Sequence, residues 1–190
     1  MPRRSSAEPQ RSRQAPPPES VAEPGPDADP VDVAKTIVAK QLGYGPRTRS
    51  QLRDVLRRRG VADDAAEAAL DRYTELGYVD DAAFAGEWVQ SRHVGKGLAR
   101  RALQHELSTR GVDAETARTA VDALDPETER ATAVDLVRRR LPGMRSLAPD
   151  VRTRRLVGML ARKGYPPGLA YSVVRETVGN QAEDTDAPTP

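Results

Sequence analysis

The 190-residue chain contains no cysteine and only two histidines. Without thiolates it can form neither disulfides nor cysteine-ligated metal sites, which fits a reducing compartment. His93 and His105 fall on different predicted helices, so they cannot form the i, i+4 pair of a helical metal site. We therefore expect no bound metal.

Long apolar runs and aromatic residues are also scarce. No apolar stretch approaches the ~20 residues that a membrane span needs, and the basic N-terminus lacks the apolar core of a signal peptide. Aromatic residues make up 4% of the chain, which argues against a base-stacking platform for nucleic acid. These absences predict a soluble, cytoplasmic protein with no membrane partner.

Groups that could catalyse a reaction are few. Asp80 and Asp81 suggest a metal-dependent nuclease, but adjacent acids point in different directions, and helix capping explains them more simply. The short Gly95-Lys96-Gly97 stretch cannot cradle phosphates as a P-loop does. The sequence therefore predicts that the protein is not an enzyme and has no catalytic residues and no cofactor.

The two ends of the chain differ in composition from its middle. Residues 1–30 are rich in proline and polar side chains, and residues 181–190 are polar and acidic, so we expect both tails to be disordered. The remaining 150 residues contain 26 basic and 20 acidic side chains, a net charge of +6. This excess favours an anionic partner such as nucleic acid, although a coding bias toward arginine or simple solvated faces would also produce it.

The motif Leu-x-x-x-Leu-x-x-x-Gly occurs three times and ends at Gly60, Gly111 and Gly164. Leucines four residues apart share one face of a helix, and glycine closes that helix in the left-handed conformation. A match at this near-constant spacing indicates a repeat architecture. The three glycines are therefore predicted to be structural.

Helix-start and helix-stop residues divide the middle of the chain into nine predicted helices, whereas strand patterns are nearly absent. The predicted caps are Asp32, Thr48, Asp63 or Asp64, Asp80 or Asp81, Asp113 and Asp125. The predicted fold is all-α, with three tandem three-helix repeats that form an elongated or curved array between disordered termini. The repeats are predicted at residues 31–78, 79–124 and 125–180.

Basic residues recur near the start of the middle helix of every repeat. Such a recurrence would suit a groove that contacts successive phosphates, or an acidic protein filament; a solvated helix face is the alternative. The candidate partner or DNA contacts are Arg49, Arg53 and Arg57 in the first repeat, Arg92, Lys96, Arg100 and Arg101 in the second, and Arg154 and Arg155, beside Arg152, in the third.

Phe84 and Trp88 are four residues apart and lie on one face of a predicted helix. A tryptophan in that position is more often a core anchor than a residue that contacts a base or a partner. We therefore predict a structural role for both.

The central sequence resembles the RecX family of bacterial regulatory proteins. The resemblance is carried by Glu75-Leu-Gly-Tyr-Val-Asp-Asp-Ala-Ala-Phe-Ala85, by Trp88-Val-x-x-Arg92, by Gly95-Lys-Gly-x-x-Arg100 and by Glu106-Leu-x-x-Arg-Gly-Val112. The run from Arg47 through Gly60 also resembles that family's first unit. We expect most positions of this signature to be structural; the positions that match it are Asp80, Asp81, Phe84, Trp88, Arg92, Gly95, Gly97, Arg100 and Gly111.

The resemblance implies a function that the repeats alone do not. Members of the RecX family bind the RecA recombinase and its filament on single-stranded DNA, limit filament growth and damp its ATPase, strand-exchange and co-protease activities. It implies the RecA filament as partner, with single-stranded DNA as a further partner, and Arg92 and Arg100 as surface contacts; we expect a monomer. Two alternatives remain: a helix-turn-helix-like, sequence-specific DNA-binding regulator, and a helical scaffold with no nucleic-acid role.

Overall fold

The computed structural model describes residues 28–185, with side chains through residue 179. Nine α-helices and one short 3-10 helix, without any strand, make up the regular structure of this part of the chain, which confirms the predicted all-α fold. The helices are α1 (Pro30–Gly43), α2 (Arg49–Arg58), α3 (Asp63–Glu75), α4 (Asp81–Lys96), α5 (Arg100–Thr109), α6 (Ala114–Asp122), α7 (Pro126–Arg140), α8 (Pro149–Arg162) and α9 (Pro167–Thr185). The 3-10 helix, Leu141–Met144, follows α7.

The predicted helix starts are confirmed at four of the caps. Thr48 forms a capping box with Gln51, in which each side chain accepts the backbone N–H of the other residue. Asp80, Asp113 and Asp125 each accept a backbone N–H from the first turn of the following helix. Short-range side-chain chemistry therefore sets where these helices begin.

Two predicted helix starts need correction. Asp29, not Asp32, caps α1, because Pro30 begins the helix and the Asp29 carboxylate accepts the N–H of Val31. Ala62 occupies the cap position of α3 and makes no side-chain cap bond, while Asp63 and Asp64 lie in the first turn. These two acids still face the positive end of the helix dipole.

Two helix ends mark the limits of α4 and α9. α4 ends at Lys96, and Gly97 closes it in the left-handed conformation with φ 62°. α9 is described to Thr185, five residues into the segment predicted as an acidic tail. Most of the two predicted tails, residues 1–27 and 186–190, lies outside the described residues.

Each repeat packs mainly around its own small core, and two residues of the second repeat, Val79 and Ala99, are buried in the first and third cores. Helices that pack closely belong to the same repeat. In each repeat the third helix lies against both the first and the second. Leu52, Leu56 and Leu70 are fully buried in the first core, and the leucines of the other two motifs lie in the second and third cores. The motif leucines therefore hold each unit together.

The first and second repeats meet where the start of α2 lies on the end of α5. The Thr48 hydroxyl donates to the Arg110 carbonyl (2.7 Å), and the Arg49 backbone N–H donates to the Asp81 carboxylate (2.8 Å). Gly111, with φ 75°, lies so close to Ser50 that a β-carbon would overlap its side chain. We call this contact the first joint.

The second and third repeats meet in the same way, at a second joint between the start of α5 and the end of α8. The Ala99 N–H donates to the Lys163 carbonyl (2.9 Å), and the Arg100 N–H donates to the Glu129 carboxylate (2.9 Å). A β-carbon on Gly164 would lie 2.5 Å from the Ala102 nitrogen. The three middle helices therefore follow one another head to tail, each N-terminus against the next C-terminus, as helix dipoles favour.

The Gly95-Lys96-Gly97 segment adds further bonds to the second joint. The Lys96 carbonyl accepts from the Lys163 ammonium (2.5 Å), and the Gly97 carbonyl accepts from the Tyr165 hydroxyl (3.2 Å). A β-carbon on Gly97 would approach Leu136 to 2.9 Å. This part of the family signature therefore fixes the third repeat onto the second.

Candidate nucleic-acid and partner interface

The arginines predicted on α2 are largely bound within the first repeat. Two Arg49 bonds of 2.6 Å join its guanidinium to the carboxylates of Glu67 and Asp71, and its side chain is 25% exposed. Arg53 donates to both oxygens of Glu67, at 2.5 and 3.1 Å. Arg57 differs, because it is 67% exposed and its nearest acid, Asp54, lies 3.8 Å away. Only the C-terminal end of the predicted ridge presents a loosely held cation.

Glu67 on α3 is therefore shared by two guanidinium groups. The hydrogen bonds from Arg53 and Arg49 favour its charged form and lower the pKa of its carboxyl from 4.5 to about 2. A depressed folded-state pKa means that the stabilisation is complete above the unfolded pKa and is lost as the pH falls through the folded one.

We expect Glu67→Gln to lower the melting temperature at pH 7, with the difference from wild type shrinking as the pH falls below about 4.5 and becoming small near pH 2. Glu87 on α4 is exposed, and Glu87→Gln is the control that removes one surface carboxylate from outside this cluster. Melting followed by circular dichroism at several pH values measures both. A difference from wild type that is as large at pH 2 as at pH 7 would contradict the ion-pair origin.

Trp88 lies at the edge of the second core with two cations against its ring. The Arg92 and Arg110 guanidinium carbons are 4.0 and 3.7 Å from the ring centroid, and the indole N–H donates to Glu106 (2.8 Å). Phe84 stacks nearly parallel to the ring, at a centroid distance of 5.7 Å. The structure thus surrounds the half-buried tryptophan with its own side chains, and Arg92 is held there.

Arg100 is also used inside the molecule. Its guanidinium donates to the carbonyls of Val121 (3.2 Å) and Leu124, at the end of α6, and lies 3.6 Å from the Glu129 carboxylate. Arg100 is 31% exposed, whereas the Glu129 side chain is only 7% exposed. This side chain therefore links α5, α6 and α7 across the second joint.

The other predicted cations lie on the surface. Lys96, Arg101, Arg154 and Arg155 are exposed, and their side chains make no hydrogen bond or ion pair with the described residues. Together with Arg57, they are the candidates that can still reach a partner. The structure therefore divides the predicted set into four internal arginines and five available cations.

The third repeat carries most of the net positive charge, a feature that was not among the predictions. Residues 125–180 contain 11 basic and 6 acidic residues, whereas residues 79–124 contain 6 and 7. The end of α7 contributes three consecutive exposed arginines, Arg138, Arg139 and Arg140, and Arg145 follows in the turn before α8. A count of charge by repeat would have found this signal in the sequence.

Neither a membrane span nor a metal cluster is found in the described part of the chain. No described helix is both long and apolar enough to cross a membrane. Within the same residues, no group of three or more His, Asp or Glu side chains is placed to hold a metal ion. His93 is buried, with one ring nitrogen 2.8 Å from the Leu98 carbonyl and the other 2.9 Å from the Thr132 hydroxyl.

Three family models match the chain in succession, one for each repeat. They describe the first, second and third three-helix domains of RecX and match residues 34–72, 80–121 and 127–174. Together they cover more than half of the chain.

Curated relatives resemble the chain over most of its length. A regulatory protein RecX of Thermobifida fusca is 54% identical over 170 residues, which cover 88% of this chain and 92% of the relative. One of Streptomyces lividans is 52% identical over 168 residues, 88% of this chain and 89% of the relative.

Solved structures share the fold at low sequence identity. The crystal structure of RecX from Lactobacillus salivarius superposes with a TM-score of 0.74 at 17% identity, covering 79% of this chain and 97% of that one. A second RecX crystal structure superposes with a TM-score of 0.70 at 19% identity, covering 78% of this chain and 72% of that one.

Proposed function

We propose that this chain, which belongs to the RecX family of regulatory proteins, binds the RecA recombinase and its filament on single-stranded DNA. Through this binding it limits filament extension and inhibits the ATPase, strand-exchange and co-protease activities of the filament. The name borne by its relatives, regulatory protein RecX, supports a regulatory rather than a catalytic role. We propose that it acts in the cytoplasm as a monomer and without a cofactor.

The observation that carries this proposal is a set of exposed cations on three helices arranged head to tail. Arg57, Arg101 and Arg154 belong to α2, α5 and α8, one in each repeat. Two joints of matching hydrogen-bond pattern fix the order of these helices. An array of this kind suits a partner that itself repeats along an axis, because several weak contacts can form together and add their effects.

Charge on the third repeat supports a contact with single-stranded DNA. Arginines that contact phosphates release counterions from the strand, so binding weakens as salt rises. Residues 125–180 supply this charge without opposing acids in equal number. We therefore propose that the third repeat lies nearest the DNA, while the first two hold the protein on the filament.

RecA ATPase on single-stranded DNA, measured with and without the protein, tests the proposal directly. We expect ATP hydrolysis to slow at substoichiometric amounts of the protein, because one blocked filament end or groove affects many protomers. Unchanged hydrolysis would contradict the proposed function. Tight binding to one duplex sequence over its shuffled copy would favour the helix-turn-helix alternative instead.

A charge-removal pair locates the DNA contact. We expect Arg154→Ala/Arg155→Ala to weaken binding to single-stranded DNA and to make the slope of log affinity against log salt shallower by about 1.4, since each phosphate contact contributes ~0.7. Arg72→Ala/Arg118→Ala removes the same charge from exposed arginines whose nearest acids are 3.4 and 3.9 Å away. Fluorescence anisotropy at several salt concentrations measures both variants. Equal slopes for the two would show that overall charge, not the third repeat, controls binding.

A further inference from the structure

The two joints show what the C-terminal end of a middle helix binds in this fold. At Arg110 and at Lys163 the backbone carbonyl accepts a hydrogen bond from the start of another helix. The next residue, Gly111 or Gly164, lies so close to that helix that no β-carbon fits. Each of these ends is therefore a seat for a helix N-terminus.

α2 ends in the same way, but its end is open. Gly60 has φ 75°, the same as Gly111, and no described atom lies within 4 Å of the position of a β-carbon. The Arg59 carbonyl, which corresponds to those of Arg110 and Lys163, accepts no hydrogen bond from another repeat within the described residues. Residues 57–60 therefore form a third seat, which we call the open end of α2.

The open end of α2 is more basic than the other two seats. It carries three consecutive arginines, Arg57, Arg58 and Arg59, all exposed. The corresponding positions are Ser108, Thr109 and Arg110 before Gly111, and Ala161, Arg162 and Lys163 before Gly164. Charge complementarity therefore favours an occupant with acidic residues in its first turn, the place where helices commonly carry them.

A second copy of this chain fits the open end poorly. The middle-helix start that neither joint uses is that of α8, where Pro149 stands at the position of Arg49 and Arg100. Proline has no N–H to donate, whereas both of those arginines donate theirs to an acid of the next repeat. The first turn of α8 carries one acid, Asp150, but three arginines follow it within the next five residues, so this start offers no net negative charge to the arginines of α2.

We propose that the open end of α2 seats the N-terminal turn of an acidic helix in a protein partner. This inference rests on the proposed function, in which that partner is a protomer of the RecA filament. The partner helix donates a backbone or hydroxyl hydrogen to the Arg59 carbonyl, packs on Gly60 and places its acids near Arg57, Arg58 and Arg59. The first repeat thereby binds protein, while the third binds DNA.

Gly60→Asn tests the seat with little strain, because asparagine tolerates the left-handed conformation. Gly77→Asn is the matched control, since Gly77 has φ 74° and equally open surroundings. We expect Gly60→Asn to weaken binding to RecA filaments on single-stranded DNA by about tenfold. The Gly60→Asn and Gly77→Asn proteins are expected to have the same melting temperature. Arg58→Glu is expected to weaken it as well, and Arg72→Glu is its control on α3.

Four results would overturn the inference. Equal filament binding by Gly60→Asn and Gly77→Asn would contradict the seat but not the proposed function. A wild-type protein that does not bind the filament would contradict both. A wild-type dimer that Gly60→Asn dissociates, seen by light scattering, makes a second copy the occupant. If deleting residues 1–27 strengthens filament binding and Gly60→Asn then has no effect, the chain's own N-terminal segment is the occupant.

Discussion

Replacing Gly164 with alanine is expected to lower the free energy of unfolding by about 2–5 kcal/mol. Gly164 has φ 89°, a conformation that costs an L-residue about 1–2 kcal/mol. The new β-carbon would also lie 2.5 Å from the Ala102 nitrogen and 2.7 Å from its β-carbon. Because backbone cannot rotate away, the second joint must open or shift, which adds about 1–3 kcal/mol.

The three motif glycines make this experiment internally controlled. Gly111→Ala is expected to cost as much as Gly164→Ala, since its β-carbon would overlap Ser50 across the first joint. Gly60→Ala keeps the φ penalty but meets no described atom, so we expect a loss of only about 1–2 kcal/mol. Urea unfolding of the three variants measures the difference.

The shape of these unfolding curves carries further information. Each repeat has its own core, and neighbouring repeats meet mainly through the joints, so cooperativity depends on the joint bonds. We therefore expect Gly111→Ala and Gly164→Ala to broaden the transition, whereas Gly60→Ala leaves its slope unchanged. Three equal losses with equal slopes would show that the joints adapt to a β-carbon without cost.

The fold was predictable because its determinants are local. Leucine spacing, the motif glycines and the capping residues act within one or two turns of helix, so they can be read directly from the sequence. Asp29 was missed as the cap of α1 because Pro30, taken as part of the tail, is the first residue of that helix. What the motif alone could not show is that Gly60 and Gly111 share a backbone conformation and differ in what lies beside them.

The candidate interface was only partly predictable, because the availability of a cation depends on distant acids. Glu67 lies 14 residues from Arg53, and Glu129 lies 29 residues from Arg100. Helical spacing places Arg49 and Arg53 on one face of α2 but does not reveal that α3 presents acids to that face. The indole N–H of Trp88 likewise needs a partner, which keeps the ring at the border of the core rather than inside it.

Replacing Arg100 with alanine is expected to destabilise the fold, whereas the same change at its neighbour Arg101 is not. Arg100→Ala removes hydrogen bonds to the Val121 and Leu124 carbonyls and leaves the buried Glu129 carboxylate without its cation. Charged hydrogen bonds and buried ion pairs of this kind predict a loss of about 2–4 kcal/mol, moderated because the Arg100 backbone N–H still donates to Glu129. Arg101→Ala, at an exposed position, is expected to change the free energy of unfolding by less than about 0.5 kcal/mol.

A double variant separates the buried charge from the lost packing of the arginine stem. Arg100→Met and Arg100→Met/Glu129→Gln carry the same apolar stem, so they differ only in the buried charge. Because no uncompensated charge remains in the double variant, we expect it to be more stable than Arg100→Met alone. Filament binding is expected to depend on Arg101 rather than on Arg100. We expect Arg101→Ala to bind the filament more weakly and the folded Arg100→Met protein to bind it nearly as well as wild type. If Arg100→Met folds normally yet fails to bind, then Arg100 contacts the partner directly, and its bonds to α6 and α7 are not what the filament requires.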